Sequence, residues 1–496
     1  MKAYFLALLT FCAFSLSAQD SNVFLEREFW KAGPNVEEIQ QKISEGHDPS
    51  AQDDHAFDGV SYGIIDNAPL ESIKFMLTQE GNSVDKPTHG SVTYLLWAAY
   101  KGNKELVKHL LELGSDPHMA TSRGTNILAM AAIGGVEDTE MYDLIFSQGV
   151  AVQSENSIGA NALHLLAGSS ADDEAIFQYL ADKGISWESK DQEGNGLFNY
   201  AARGGNLKIM KMCAEKGLDY TLLNSRGENA LFFASYGRKR SQVQLETFQY
   251  LESLGLEVDL VNWEGKTPLH NAIRKANAEV VDFFLKRGVN INQIDEEGNT
   301  VMINSAWGNV EAMEKIIPLV ADINQQNHEG HSALTLAIRR GADKAVDLLI
   351  AKGADIHQVD AVGNNLLYYA FENFRSSREE VFAHIIDTLV VEGLKASPDY
   401  VDGNTLAHLA IEKNSPFLLK KAISLGCDLN HKNEIGINTL HLAAMKAKDE
   451  RLIAILLDAG ADKRILTDFD ESAYELAAQN ELLGEKEVNI GFLRFD

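Results

Sequence analysis

The chain has 496 residues, 45% of them hydrophobic and 23% charged, close to the globular average, so it can bury a core and is not broadly disordered. Lys and Arg number 44 against 72 Asp and Glu, a net charge of -28. That balance argues against nucleic acid or an anionic membrane as the main partner, since both are held chiefly through Lys and Arg.

Residues 1–18 read as a signal peptide: Lys2 is the only charge, an apolar run extends from Ala3 to Phe14, and Ser15, Leu16, Ser17 and Ala18 precede a cleavage point before Gln19. The run is too short to span a bilayer, and Cys12 follows the bulky Phe11 instead of the small residue of a lipoprotein signal. An exported protein without a membrane anchor is therefore expected, periplasmic or secreted. Residues 19–57 form an N-terminal extension and a degenerate capping repeat, in which Val36, Ile39 and Ile43 ahead of Gly46 trace a helix. Residues 58–85 form a weak second repeat.

From residue 58 to 466 the chain repeats itself. The octet Gly265, Lys266, Thr267, Pro268, Leu269, His270, Asn271, Ala272 has relatives along nearly the whole length, with aligned glycines at Gly124, Gly159, Gly194, Gly227, Gly265, Gly298, Gly330, Gly363, Gly403 and Gly436. The dominant spacing is 33 residues. A second signal follows about two dozen residues later in each unit, as in Gly353-Ala354-Asp355 and Gly460-Ala461-Asp462. Thr267 caps a first helix and Pro268 suits its first turn; Asn126, Asn161, Asn229, Asn365 and Asn438 replace the Thr and cap equally well. Pairs such as Ala98-Ala99 and Ala443-Ala444 let neighbouring helices approach closely. Leu106, Val107, Leu110 and Leu111 lie on one face of a second helix, and Gly114 or Gly353 ends that helix. Gly298 to Gly330 is one residue short, with Val301 and Ile303 in place of the Pro and His, so a local irregularity is expected there. Residues 467–496 are a C-terminal capping repeat and tail, made polar by Glu481, Glu485 and Glu487.

A 33-residue period with Thr-Pro-Leu-His and Gly-Ala-Asp signatures resembles the ankyrin-repeat family, over roughly residues 28 to 483. The resemblance implies a mainly α solenoid of about 13 helix-turn-helix repeats joined by β-hairpin loops, capped at both ends and offering a concave binding face. It also implies that His164, His270, His408 and His441 bridge backbone groups of neighbouring repeats.

Patterns for catalysis are missing: there is no nucleophile-elbow Ser, no phosphate-binding Gly-Lys-Ser/Thr loop and no paired metal-ligand Cys motif. The histidines of His328-Glu329-Gly330-His331 are three apart where a zinc helix needs four. Cys213 and Cys427 read as inert packing, some six repeats apart and too distant for a disulfide. The acidic tip Asp295-Glu296-Glu297 lacks the spacing of a calcium loop. No enzyme, cofactor or metal is expected.

In ankyrin-like repeats the last turn of the first helix and the hairpin tips line the concave face. Those positions select Tyr100, Arg203, Tyr236, Trp263, Arg274, Trp307, Arg339 and Arg340 as candidate partner-binding residues. Tyr, Trp and Arg are the residues most enriched at interaction hot spots. Two readings stand side by side: contact residues for a protein with an acidic or mixed surface, or solvated stems along the inner helices. Two repeats are lengthened between their helices, by Arg238 to Gln242 and over Glu372 to Glu380. Such loops carry function or are cheaply tolerated insertions. The expected role is a monomeric scaffold for a protein partner; the alternative, by analogy with exported bacterial ankyrin proteins, is an accessory to a secreted enzyme or a toxin-neutralising protein.

Overall fold

The computed structural model describes residues 22–237, 244–397 and 399–495. The signal peptide, the cleavage point before Gln19, Cys12 and the extra residues Arg238 to Gln242 lie outside them. Among the described residues the chain forms fourteen pairs of short helices, against the thirteen or so expected, with no extended strand. The loops between pairs are hairpins in outline only, four of them closed by a single bridge such as Gln52 to Asp58 or Val359 to Asn365. The contacts divide the chain into two compact units, one running to Tyr220 and the other from Thr221.

Within each unit the pairs stack in sequence order. First helices lie against first helices, as Tyr94–Tyr100, Ile127–Gly134, Ala162–Ala167 and Leu197–Gly204 do in the first unit. A first helix is covered on both sides by its neighbours and behind by its own partner, which is why Leu95, Leu96, Ala98 and Ala99 are all buried. A second helix is covered on one side: Leu106, Val107 and Leu110 are buried while Leu113 is exposed. The small residues in the first helices are a packing requirement. A Cβ on Gly134 would stand 1.9 Å from the Tyr100 carbonyl oxygen, so only glycine admits that approach.

The loops are held from beneath by a polar side chain three residues before the aligned glycine, except at Gly403, where Tyr400 stands in that place. Asn262 Oδ1 accepts from the N–H groups of Glu264 and Lys266, Asp295 Oδ1 from Glu297 and Asn299, and Asp360 Oδ1 from Val362 and Asn364. Asp295 is buried and belongs to this clamp, so its carboxylate is spent on the turn. Neighbouring tips are joined by one backbone bond each: Trp263 N–H donates to Arg226 and Glu296 N–H to Glu264.

The expected caps are present. Asn126, Asn161 and Asn438 accept from the third N–H of their helices. The four signature histidines are buried and share one geometry. In His164, His270, His408 and His441, Nδ1 accepts from the backbone N–H three residues earlier, at 3.0–3.3 Å. Nε2 meets a carbonyl of the following loop, at Ser189, Gln293, Ile437 and Ile465. Nδ1 can only accept and Nε2 must carry the proton, so a neutral ring satisfies both ends and a protonated one sets N–H against N–H.

The chain ends are built differently. Phe24 and Trp30 are fully buried, with the indole N–H donating to the Phe24 carbonyl at 2.9 Å. They close the first pair, Arg27–Lys31 and Val36–Ser44. At the other end Glu481–Glu485 gives a polar final helix, and Leu493 tucks in fully buried behind it. In the Gly298 to Gly330 repeat the second helix, Val310–Ile316, gives way to a 3-10 turn at Ile317–Leu319, where Pro318 cannot donate to the helix. Its first helix, Val301–Ser305, is no shorter than Pro268–Ala272 of the preceding repeat. The irregularity therefore sits in the second helix, and Pro318 rather than the altered signature produces it.

Burial pushes the pKa of all four signature histidines below the ordinary 6.5, to about 4 for His408. The unfolded chain takes up these protons first, so the stability the neutral rings contribute is complete above about pH 6.5 and is lost as the pH falls through the depressed native values. The urea midpoint should be lower at pH 5.5 than at pH 7.5, by the equivalent of up to about 1 kcal/mol per histidine. A His408→Gln variant should show a smaller drop, and equal midpoints at the two pH values would contradict the assignment.

Candidate functional site

The first-helix exits are where a side chain leaves the packed interior and reaches solvent beside its neighbours. In the second unit three consecutive exits converge. Trp307 follows Val301–Ser305, Arg274 follows Pro268–Ala272 of the repeat before, and Arg340 ends Ala333–Arg340 of the repeat after. The Arg274 guanidinium carbon lies 3.5 Å from the centre of the Trp307 ring system and that of Arg340 3.6 Å. The indole is thus sandwiched between two cations, its rim still 42% exposed. A cation over an aromatic face is attractive, by about 0.5–1 kcal/mol at an exposed site.

Neither arginine has an acidic partner among the described residues. Their pKa values are depressed, by burial against the ring first and then by other cations: Arg340 acts on Arg274, while Arg339 and Arg375 act on Arg340. Partial burial and like charge both disfavour the cationic form, and a neighbouring anion would relieve them. The second helices behave oppositely. There Lys183 meets Asp143 at 2.8 Å, Arg287 meets Glu252 at 2.5 Å, Lys315 meets Asp282 at 2.8 Å and Lys421 meets Asp387 at 2.5 Å, each cation reaching an acid of the preceding repeat. In a chain of net charge -28, arginines gathered on one edge with no ion pair among the described residues stand out.

Arg339 is held by a relay. Its Nη1 lies 3.1 Å from His331 Nδ1, His331 Nε2 lies 2.7 Å from the Tyr369 hydroxyl, and that hydroxyl donates to Asp360. Since Tyr369 donates onward, its oxygen accepts from His331 Nε2–H, while Nδ1 faces both Arg339 Nη1 and the Glu329 carboxylate. Burial and then Arg339 push the His331 pKa down, against the pull of Glu329 at 2.9 Å. Both ring nitrogens are thereby engaged. Among the described residues no group of three His, Cys, Asp or Glu side chains could hold a metal ion.

The remaining candidates fall elsewhere. Tyr236 donates to Glu228 and belongs to the base of its own loop. Trp263 sits at a hairpin tip, 67% exposed, its ring laid across Gly227, where a Cβ would come within 2.8 Å. In the first unit Tyr100 is half-buried edge-on to Trp97, and Arg203 is exposed three helix pairs further along. The two do not meet. Cys213 and Cys427 are free, and burial raises both thiols, that of Cys213 to about 12. Sequence reasoning did not single out Lys413, Lys420 and Lys448, which line a cleft with Arg375.

The family model for ankyrin repeats matches residues 95–191, 240–327 and 301–388. The chain belongs to the ankyrin-repeat family, a fold that generally mediates protein–protein interaction. It is 25% identical to the nuclear factor NF-kappa-B p105 subunit of Gallus gallus over 55% of this chain and 24% of that protein. It is 26% identical to the human transient receptor potential cation channel subfamily A member 1 over 54% and 24%. With the phosphocholine transferase AnkX of Legionella pneumophila the identity is 22% over 52% and 34%. In each case the chain spans about a third or less of the relative's length. The crystal structure of the human ASB11 ankyrin repeat domain aligns with a TM-score of 0.40 at 19% identity, covering 47% of this chain and 99% of that one. Among the described residues no helix is long and apolar enough to cross a membrane.

Because the sandwich is exposed and contributes no ion pair to the fold, Arg274→Ala and Arg340→Ala should each cost about 1 kcal/mol or less. Urea denaturation checks this. A loss above about 2 kcal/mol would make the arginines structural.

Proposed function

We propose that this chain is an exported, non-catalytic binding protein that holds an acidic surface of a protein partner on the first-helix exits of its second unit. The observation that carries the reading is the pair of arginines against Trp307, Arg274 and Arg340, which form no ion pair among the described residues. Trp and Arg in one partly desolvated cluster are the residue types that dominate interaction energies. Arg339, fixed by His331, extends the cluster by a further cation. Its rigidity lowers the entropy lost on docking.

An open edge of this kind offers a broad surface, whereas a small substrate needs a concave pocket with convergent polar groups. Export rests on the composition of residues 1–18. A partner that is itself exported follows from it, and accessory or toxin-neutralising roles are particular cases of such a partner.

Affinity purification of the tagged chain from the exported fraction, followed by mass spectrometry, tests both parts. The recovered protein should begin at Gln19; a chain that retains Met1 in that fraction contradicts cleavage. Wild type should recover a specific protein that a Trp307→Ala, Arg339→Ala double variant loses by about tenfold or more. Undiminished recovery by the double variant removes this site from the reading.

A further inference from the structure

The lengthened loop of the repeat beginning at Gly363 does not hang free. Its 3-10 turn, Ser376–Arg378, is stapled to the preceding repeat, where Arg378 donates to the carbonyls of Arg340 and Gly341 at 3.1 and 2.8 Å. Phe374 is buried beneath it, stacked on Phe417 at 5.8 Å and edge-on to Phe382. The fixed loop forms one wall of a cleft of about 900 Å³. Cations enter this cleft from three successive helix pairs: Arg375 from the loop, Lys413 and Lys420 from the next pair and Lys448 from the one after. Among the described residues Glu379 is the only acid on its wall. Lys413 is shared with Glu372 at 3.2 Å, while Arg375, Lys420 and Lys448 are exposed and have no acidic partner among the described residues.

We propose that this cleft is a second binding site, separate from the Trp307 cluster, for an extended carboxylate-rich segment of a polypeptide. The cations are spread along the row of repeats rather than focused on one point, which suits a linear ligand carrying several charges. A protein of net charge -28 that keeps unpaired cations together in a cleft presents a local field opposite to its own surroundings. Nucleic acid fits less well. Binding of single strands relies on free aromatic faces for base stacking, and here Phe374 and Phe417 cover each other.

The test is fluorescence anisotropy of the purified chain with a labelled peptide of about twelve residues alternating Glu and Ser, beside the same peptide with Gln for Glu and a thymidine oligonucleotide of equal length. The Glu peptide should bind and weaken steeply as salt rises from about 50 to about 300 mM. Lys420→Glu with Lys448→Glu should weaken it about tenfold or more, and Arg375→Gln about threefold. Reversal of two exposed lysines elsewhere, Lys286→Glu with Lys352→Glu, makes the same change in net charge and should alter binding less than about twofold. Arg274→Ala should alter peptide binding less than about twofold, so loss of the peptide and loss of the Trp307 partner stay distinguishable; Arg340, within electrostatic reach of Arg375, is kept in this comparison. The proposal is overturned if the Glu peptide does not bind, if the Gln peptide binds equally, if the control reversal acts as strongly as the cleft reversal, or if the oligonucleotide binds more tightly than the peptide.

Discussion

A helix of seven or eight residues cannot bury its apolar side chains alone, and a pair of them leaves two faces bare. Each pair in this chain is complete only when the next is laid against it. Everything polar at the join must then be satisfied in a dry interface, where an unpaired donor or acceptor costs about 1–3 kcal/mol. The neutral histidines bridging from a helix start to the next loop, the Asn and Asp clamps under each tip and the single backbone bond between tips are answers to that one demand. They also explain why the aligned glycines recur. The clamp closes on a turn that needs a left-handed residue at its end, as at Gly265 with φ +76°.

Regular stacking has an electrostatic consequence. Side chains at equivalent positions of successive second helices face each other, so an acid in one repeat meets a cation in the next, as at Lys183, Arg287, Lys315 and Lys421. Individually such exposed pairs contribute little. What sets the exits apart is that their cations gather around one aromatic ring and meet no acid among the described residues. Arg274, Arg340 and Arg375 stand there with no ion pair among the described residues, two of them against the Trp307 ring.

Much of this was legible in the residues. The period and the Asn caps follow from local patterns that the repeats restate, while the bridging histidines and the exit positions that select Arg274, Trp307 and Arg340 follow from the resemblance to ankyrin repeats. The clamp was equally legible, since Asn262, Asp295, Asn327 and Asp360 each stand three before an aligned glycine. Its acidic member is easily mistaken for an exposed acidic tip. What could not be read was the meeting of side chains from repeats of unequal length. Arg375, Lys420 and Lys448 share no repeat position, and only the packing of the long loop onto Arg340 and Phe417 brings them to one cleft. Tyr236 and Trp263 show the converse: the Tyr236 hydroxyl is engaged by Glu228 of its own loop and the Trp263 ring lies on Gly227 of the preceding tip, neither of which the position alone announces.

The central claim is that the exits around Trp307 face a partner while the matched outer helices do not. Amide hydrogen exchange of the chain with and without its captured partner tests this directly. Slower exchange is predicted for the exit segments at residues 272–277, 305–309 and 338–342, with no change in the outer helices Ala278–Lys286, Val310–Ile316 and Asp343–Ala351. Protection confined to those outer helices would contradict it.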